Sequence, residues 1–359
     1  MQSNNTNAFF ELVRAGLWEK DVQLSQYGTI DFNEILRLSE DMTVVGLVAA
    51  GIEHVVDVKL PQEVVLQFIG RTLQIEQRNS AMNDFMAVVV EKMRSTDICT
   101  LLVKGQGIAQ CYERPLWRSS GDIDFLLNTP NYKKAIDFVL PLSSHNNPEG
   151  RYSKHRSFIV ETWSVELHGT LRSGLSAKVD RLIDSVQEDT FQNGNTREWL
   201  NKGTRILLPG VDNDIIFIFT HFLMHFYREV LGLKQICDWC RLLWTFRHTI
   251  NAELLERRLY QSGLISEWKA FASMAVDYLG MPSEAMPLYD SNEQWHKKGS
   301  LIIDYIINRT AYRRINAVIK IAGIFPYKTL RFLPSIVLNI NWLKIKERLL
   351  KNDNRQETS

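Results

Sequence analysis

Cysteine is scarce in this sequence: Cys99, Cys111, Cys237 and Cys240 are the four among 359 residues. That is too few for a disulfide scaffold. No charged segment, apolar core and cleavage site opens the chain, so a reducing cytoplasm is the expected location. Long hydrophobic runs are also missing. The nearest, INAVIKIAGIF at 315–325, is interrupted by Asn316 and Lys320 and falls short of the ~18 apolar residues that read as a membrane-spanning helix. Nor does one charge dominate. Forty-two basic residues stand against 41 acidic ones, for a formal charge of +1, which excludes a chain-wide polyanion-binding surface and leaves only local ones. Internal repeats and low-complexity linkers are absent too.

What is present is an ordinary globular mixture, long enough for two or three compact units. Residues 1–95 read as an N-terminal helical region. FNEILRLSEDMTVVGLVAAGI and QEVVLQFIGRTLQIEQRNSAMNDFMAVVVEKMRS repeat apolar residues at helical spacing, with Asp31 as an N-cap and Pro61 as a helix opener. Between 96 and 208 the texture changes to short β-branched or apolar runs, ICTLLV, DIDFLL, SFIVE, SVELHG and TRILL, with YKKAIDFVLPL as an intervening helix. From 209 to 350 helical periodicity returns, and 351–359, ending in NRQETS, reads as a disordered tail. The expected fold class is therefore α+β, a small mixed-sheet core flanked by N-terminal helices and a C-terminal helical domain.

The chemistry concentrates in RSSGDIDFLL at 118–127. In a strand, Asp122 and Asp124 face one side while Ile123 and Phe125 face the other. Two like charges held side by side call for a cation between them, and hard oxygen ligands suit Mg²⁺ or Mn²⁺. A two-metal phosphoryl-transfer site also needs a further acid on a neighbouring strand. Glu166 in WSVELHGTL supplies one, with His168 on the same side. Upstream, LLVKGQG ends a strand at Lys104 and Gly105, a turn fit to present backbone N–H groups and a lysine to phosphate, and Arg118 precedes the acids in their loop.

The run LLVKGQGIAQCYERPLWRSSGDIDFLL followed by VELHGTL resembles an uncharacterised nucleotidyltransferase family of bacteria, a branch of the DNA polymerase β-type nucleotidyltransferase superfamily. The similarity extends through ILLPGVDNDIIFIFTHFLMH and GLKQICDW and covers roughly residues 60–250. It implies that Asp122, Asp124 and Glu166 bind two Mg²⁺ or Mn²⁺ ions, and that Lys104 and Gly105 form the phosphate-binding turn; Arg118, in the loop, is expected either to bind the nucleotide or simply to pair with an aspartate. The reaction implied is transfer of a nucleoside monophosphate from an NTP, such as ATP, to a hydroxyl acceptor with release of pyrophosphate. Two departures stand out: Gln106 occupies the place of a small hydroxyl residue, and Gly169 follows His168 where the family has an aromatic.

The acceptor, a small molecule or a protein, is expected against the helices that follow the core. There His168, His221, His225, Gln235 and Asp238 put polar groups on otherwise apolar faces, which is costly unless they line a wet cleft. His221 and His225 have metal-ligand spacing, but Phe, Leu and Met lie between them and a cleft-lining pair is the expectation. Cys237 and Cys240, without a second ligand pair, read as helix-packing residues rather than a zinc site. The basic, amphipathic stretch from Tyr312 to Lys351 reads as packed helices with a solvated basic face, ahead of a membrane-surface or nucleic-acid role. Two rival functions share the motifs: an AMP-transferring toxin-antitoxin or antibiotic-modifying enzyme, and a non-catalytic nucleotide-binding protein.

Overall fold

A computed structural model describes residues 4–147, 154–228, 231–308 and 314–332. The tail at 351–359 and the later part of the basic stretch lie outside the described residues. The order begins with four helices, α1 (Asn4–Trp18), α2 (Phe32–Asp41), α3 (Val45–Glu53) and α4 (Gln62–Ser95). It continues β1 (Leu101–Val103), α5 (Gly105–Ala109), β2 (Asp122–Leu126), α6 (Thr129–Val139), β3 (Ser143–Asn147), β4 (His155–Val160), β5 (Trp163–His168), α7 (Ala177–Gln192), β6 (Thr196–Asn201) and β7 (Thr204–Pro209). Six helices follow: α8 (Val211–Arg228), α9 (Leu233–Phe246), α10 (Ala252–Ser262), α11 (Ile265–Leu279), α12 (Glu293–Asn308) and α13 (Arg314–Ile324). No helix among the described residues is long and apolar enough to cross a membrane.

The fold is α+β. Seven strands form one mixed sheet in the order β3-β4-β5-β2-β1-β7-β6, with the strand of paired acids near its middle. Strand β2 runs antiparallel to β1 and parallel to β5, in a register that sets Asp124 opposite Glu166. Three elements go beyond those expected from the sequence: the strands β3 and β6, whose residues are mostly polar and, Asn201 apart, not buried, and the helix α7. The short helix after the Lys104 turn also lies earlier than IAQCYE, over Gly105–Ala109.

Strand alternation decides what the sheet buries on each face. Ile123, Phe125, Val165 and Leu167 pack with Met82, Met86, Val90 and Met93 of α4 and with Ala135 and Val139 of α6. Burying such side chains contributes about 1.5–3 kcal/mol each. The other face carries Asp122, Asp124, Glu166 and His168 and turns toward the larger helical core. That core joins α1 to α3 with α7 to α12, so N-terminal and C-terminal helices share one apolar interior. Helix α1 also closes the end of α11: Arg14 donates to the carbonyls of Asp277 and Tyr278, and Trp18 Nε1 to that of Leu279. These are carbonyls that a helix end leaves without intrahelical partners.

Candidate active site

Parallel pairing of β2 and β5 brings together acids 42 residues apart, Asp124 and Glu166. One carboxylate oxygen from each of Asp122, Asp124 and Glu166 lies within 4.8 Å of the others. Asp124 is buried, Glu166 partly so, and Asp122 stands at the solvent edge. The negative charge of Asp124, then burial, then Glu166, raise the pKa of Asp122 above the usual carboxylate range. This is the repulsion that a divalent cation would relieve, and three converging hard oxygens suit Mg²⁺ or Mn²⁺.

Two basic side chains face that charge. Lys104 Nζ lies 3.0 Å from Asp124 Oδ1, and His168 Nε2 lies 2.8 Å from the same oxygen. Burial disfavours charge on Lys104, but Asp124, Glu166 and Asp122 outweigh it and raise its pKa. Likewise burial opposes the charge on His168, and hydrogen bonds to Asp124 and Glu166 raise its pKa. Burial also opposes ionisation of Glu166, yet His155 and His168 hold its carboxyl below the ordinary range.

Lys104 has φ +59° and ψ −146°, a backbone state that costs a residue other than glycine about 1–3 kcal/mol and that clusters at ligand-binding turns. Gly105 follows at φ +42°, again in the glycine-favouring region. Gln106 turns inward, buried, and donates to Asn79 Oδ1 at 2.9 Å and Ser120 Oγ at 3.3 Å. Asn79 in turn donates to the carbonyls of Leu116 and Arg118. The residue in place of a small hydroxyl thus ties α4 to the loop that leads into β2.

Arg118 pairs with an aspartate, and that aspartate is Asp238, expected on the acceptor side. Arg118 Nε and the Nη2 nitrogen donate to the two Asp238 oxygens at 2.7 Å each, and the Tyr112 hydroxyl donates to Oδ1 at 2.8 Å. Both partners are buried. The physical reason is desolvation: a charge buried beneath α9 is tolerated only when paired, and the fork of guanidinium on carboxylate pairs both. The pair joins the loop before β2 to α9 and so sets the wall of the site.

That wall carries the remaining expected residues. His225 Nε2 lies 3.1 Å from His221 Nε2. Burial first, and then the neighbouring Lys104, with smaller contributions from the surrounding basic side chains, hold the His221 pKa well below that of an ordinary imidazole. Gln235 has a buried side-chain oxygen with no hydrogen-bond partner among the described residues. Cys237 and Cys240 are fully buried, and burial pushes both thiols up, as expected of packing residues.

Two residues at the site escape the motifs. His155, on β4, pairs across the strands with His168, stacks on its ring at 4.6 Å, and places Nε2 3.0 Å from Glu166 Oε2. Its only sequence signal is a histidine opening the strand beside VELH. Lys234 precedes Asp238 by one helical turn. Burial lowers its pKa, Arg118 lowers it further, and Asp238, Asp122 and Asp124 act in the opposite direction.

Residues 28–280 match the model of a family described as uncharacterised nucleotidyltransferase. Among solved structures, an antigenic nucleotidyltransferase-like protein from Paracoccidioides brasiliensis is 11% identical, with a TM-score of 0.35 over 58% of this chain and 94% of that one. No curated protein matches the chain.

Proposed function

Because the chain belongs to the uncharacterised nucleotidyltransferase family, we propose that it transfers a nucleoside monophosphate from an NTP to a hydroxyl acceptor, releasing pyrophosphate. The observation that carries this reading is the convergence of the Asp122, Asp124 and Glu166 oxygens within 4.8 Å, with the Lys104 ammonium 3.0 Å from Asp124. We place the core in the polymerase β-type branch on the same acids. Asp122 and Asp124 would hold both Mg²⁺ or Mn²⁺ ions and Glu166 the one on the acceptor side. When bound, such ions activate the attacking oxygen and neutralise the leaving pyrophosphate.

The chain's own residues do the positioning. His168 orients Asp124 through their 2.8 Å hydrogen bond. Lys104 leaves Asp124 for the β and γ phosphates, as charge on the NTP replaces charge on the carboxylate, and the Gly105 turn lets the triphosphate approach the backbone. Lys234 adds a second cation from the α9 wall. His221, His225 and Gln235 line the acceptor side, where an imidazole and the buried Gln235 carbonyl oxygen offer hydrogen bonds to a hydroxyl. Catalysis on this plan is orientation and charge compensation in a site partly closed to water.

The test is pyrophosphate release from each NTP with Mg²⁺ or Mn²⁺ and candidate hydroxyl acceptors. Asp124→Asn is expected to reduce turnover at least about 100-fold, comparable to losing a group that stabilises the transition state directly. Turnover within twofold of wild type in a folded variant would remove Asp124 from the chemistry.

A further inference from the structure

Ser120 stands in the loop between Arg118 and the first acid, and its hydroxyl is held from two sides. Arg118 Nη1 donates to its Oγ at 2.8 Å, and Gln106 Nε2 donates to the same oxygen at 3.3 Å. Chemistry fixes the direction of both bonds. A guanidinium can only donate. The Gln106 amide is set by Asn79, whose Nδ2 uses both hydrogens on the carbonyls of Leu116 and Arg118 at 2.7 Å each. Asn79 therefore turns Oδ1 toward Gln106, which must meet it with Nε2, at 2.9 Å. The second Nε2 hydrogen is left for Ser120. With both lone pairs of its Oγ accepting, the hydroxyl keeps one function, the O–H donor. Among the described residues no acceptor takes that hydrogen. Ser120 is half-buried, so the donor is not sealed in the core.

We propose that the Ser120 hydroxyl donates a hydrogen bond to a β- or γ-phosphate oxygen of the NTP, an inference that rests on the nucleotidyl-transfer reading above. An ionised phosphate oxygen accepts without donating, which is what a hydroxyl with only its O–H left requires. The position agrees. Gln106 directly follows the turn of Lys104 and Gly105, and a Cβ on Gly105 would lie 3.5 Å from the Asp122 carbonyl oxygen, so turn and loop meet at the head of β2. Ser120 thus joins Lys104 on the phosphates from the loop side. Both groups that hold Oγ are themselves fixed: Asp238 clamps Arg118 with two hydrogen bonds of 2.7 Å, and Asn79 holds Gln106. A cation donating to Oγ polarises the O–H and strengthens the bond it gives in turn. Through Ser120, the buried pair of Arg118 and Asp238 acts on the nucleotide as a positioning device.

The test compares Kd values of the full-length protein for each NTP and for the matching monophosphate, by calorimetry with Mg²⁺. Ser120→Ala should weaken NTP binding about tenfold or more, the loss of a hydrogen bond to a charged group, and keep monophosphate binding within about twofold. Ser120→Cys keeps an atom for both N–H groups but donates weakly, so it should lose NTP affinity likewise. It decides the matter if Ser120→Ala fails to fold. NTP affinity within about twofold of wild type in either folded variant would overturn the proposal and leave the nucleotidyl-transfer reading intact. Equal losses for NTP and monophosphate would also overturn it, making Ser120 a brace for the Arg118 loop alone. A wild type that binds no NTP with Mg²⁺ would sink the transfer reading and this inference with it.

Discussion

At Arg118, a residue between the turn and the acids, the structure shows the aspartate pairing that was one of two expected roles. The guanidinium meets Asp238 with two hydrogen bonds of 2.7 Å, both groups buried. Removing one partner of such a pair leaves an uncompensated charge and costs about 3–5 kcal/mol, whereas replacing both with apolar residues of similar volume is often neutral. Asp238→Ala is therefore expected to lower stability in urea unfolding by about 3–5 kcal/mol, and Arg118→Met with Asp238→Leu to recover most of that loss. A double variant as unstable as Asp238→Ala would show that the polar network, with Tyr112, matters beyond charge balance. Which aspartate Arg118 meets was not legible in the sequence, since 120 residues separate the two. The acids were more readable, because strand alternation alone puts Asp122 and Asp124 on one face.

At the scale of elements, two helices and one strand pair do most of the positioning. Strands β2 and β5 align the acids, and α8 and α9 supply the opposite wall. Helices α1 and α3 cross so closely that a Cβ on Gly51 would lie 2.0 Å from the Leu12 carbonyl oxygen, and one on Gly16 1.9 Å from that of Leu47. Backbone cannot yield as a flexible side chain does. Gly51→Ala is expected to destabilise the protein by about 1–3 kcal/mol or more, the range of overpacked interiors, measured as a lower urea midpoint with unchanged slope. A midpoint equal to wild type would mean that the α1–α3 crossing opens without cost. Helix α7 shows the converse case: Val179, Ile183, Val186 and Thr190, its buried residues, recur at helical spacing, so its period was present in the sequence. Strands β3 and β6 were harder, because an edge strand with few apolar residues lacks the alternation by which strands are read.

For the whole molecule, the apolar interior crosses the boundaries that composition suggests at 95 and 208. Phe9, Leu12 and Val48 belong to the same core as Phe222, Trp239 and Trp268. Trp18 and Arg14 cap α11 from the opposite end of the chain. The N-terminal and C-terminal helices are therefore expected to unfold together. Tryptophan fluorescence and far-ultraviolet circular dichroism should trace coincident urea transitions, and proteolysis between α4 and β1 should not release a stable N-terminal fragment. A separate early transition or a folded residue 1–95 fragment would show that these helices hold without the shared core.

The sequence by itself determined most of the helices, α7 excepted, where the acid-bearing strand lies and which of its residues share a face. These are local matters of period, capping and alternation, set by backbone geometry over a few residues. Asp31, for example, accepts from the N–H groups of Asn33 and Glu34 at the start of α2, as its place before the apolar run implies. Only the tertiary structure decided that β2 lies parallel to β5, that His155 faces His168, that Lys234 comes near the acids and His221 near Lys104, and that Arg118 and Asp238 neutralise each other. Each of those depends on elements distant in sequence meeting at one register. Many such meetings satisfy the same local patterns, and packing and the pairing of buried charge select among them.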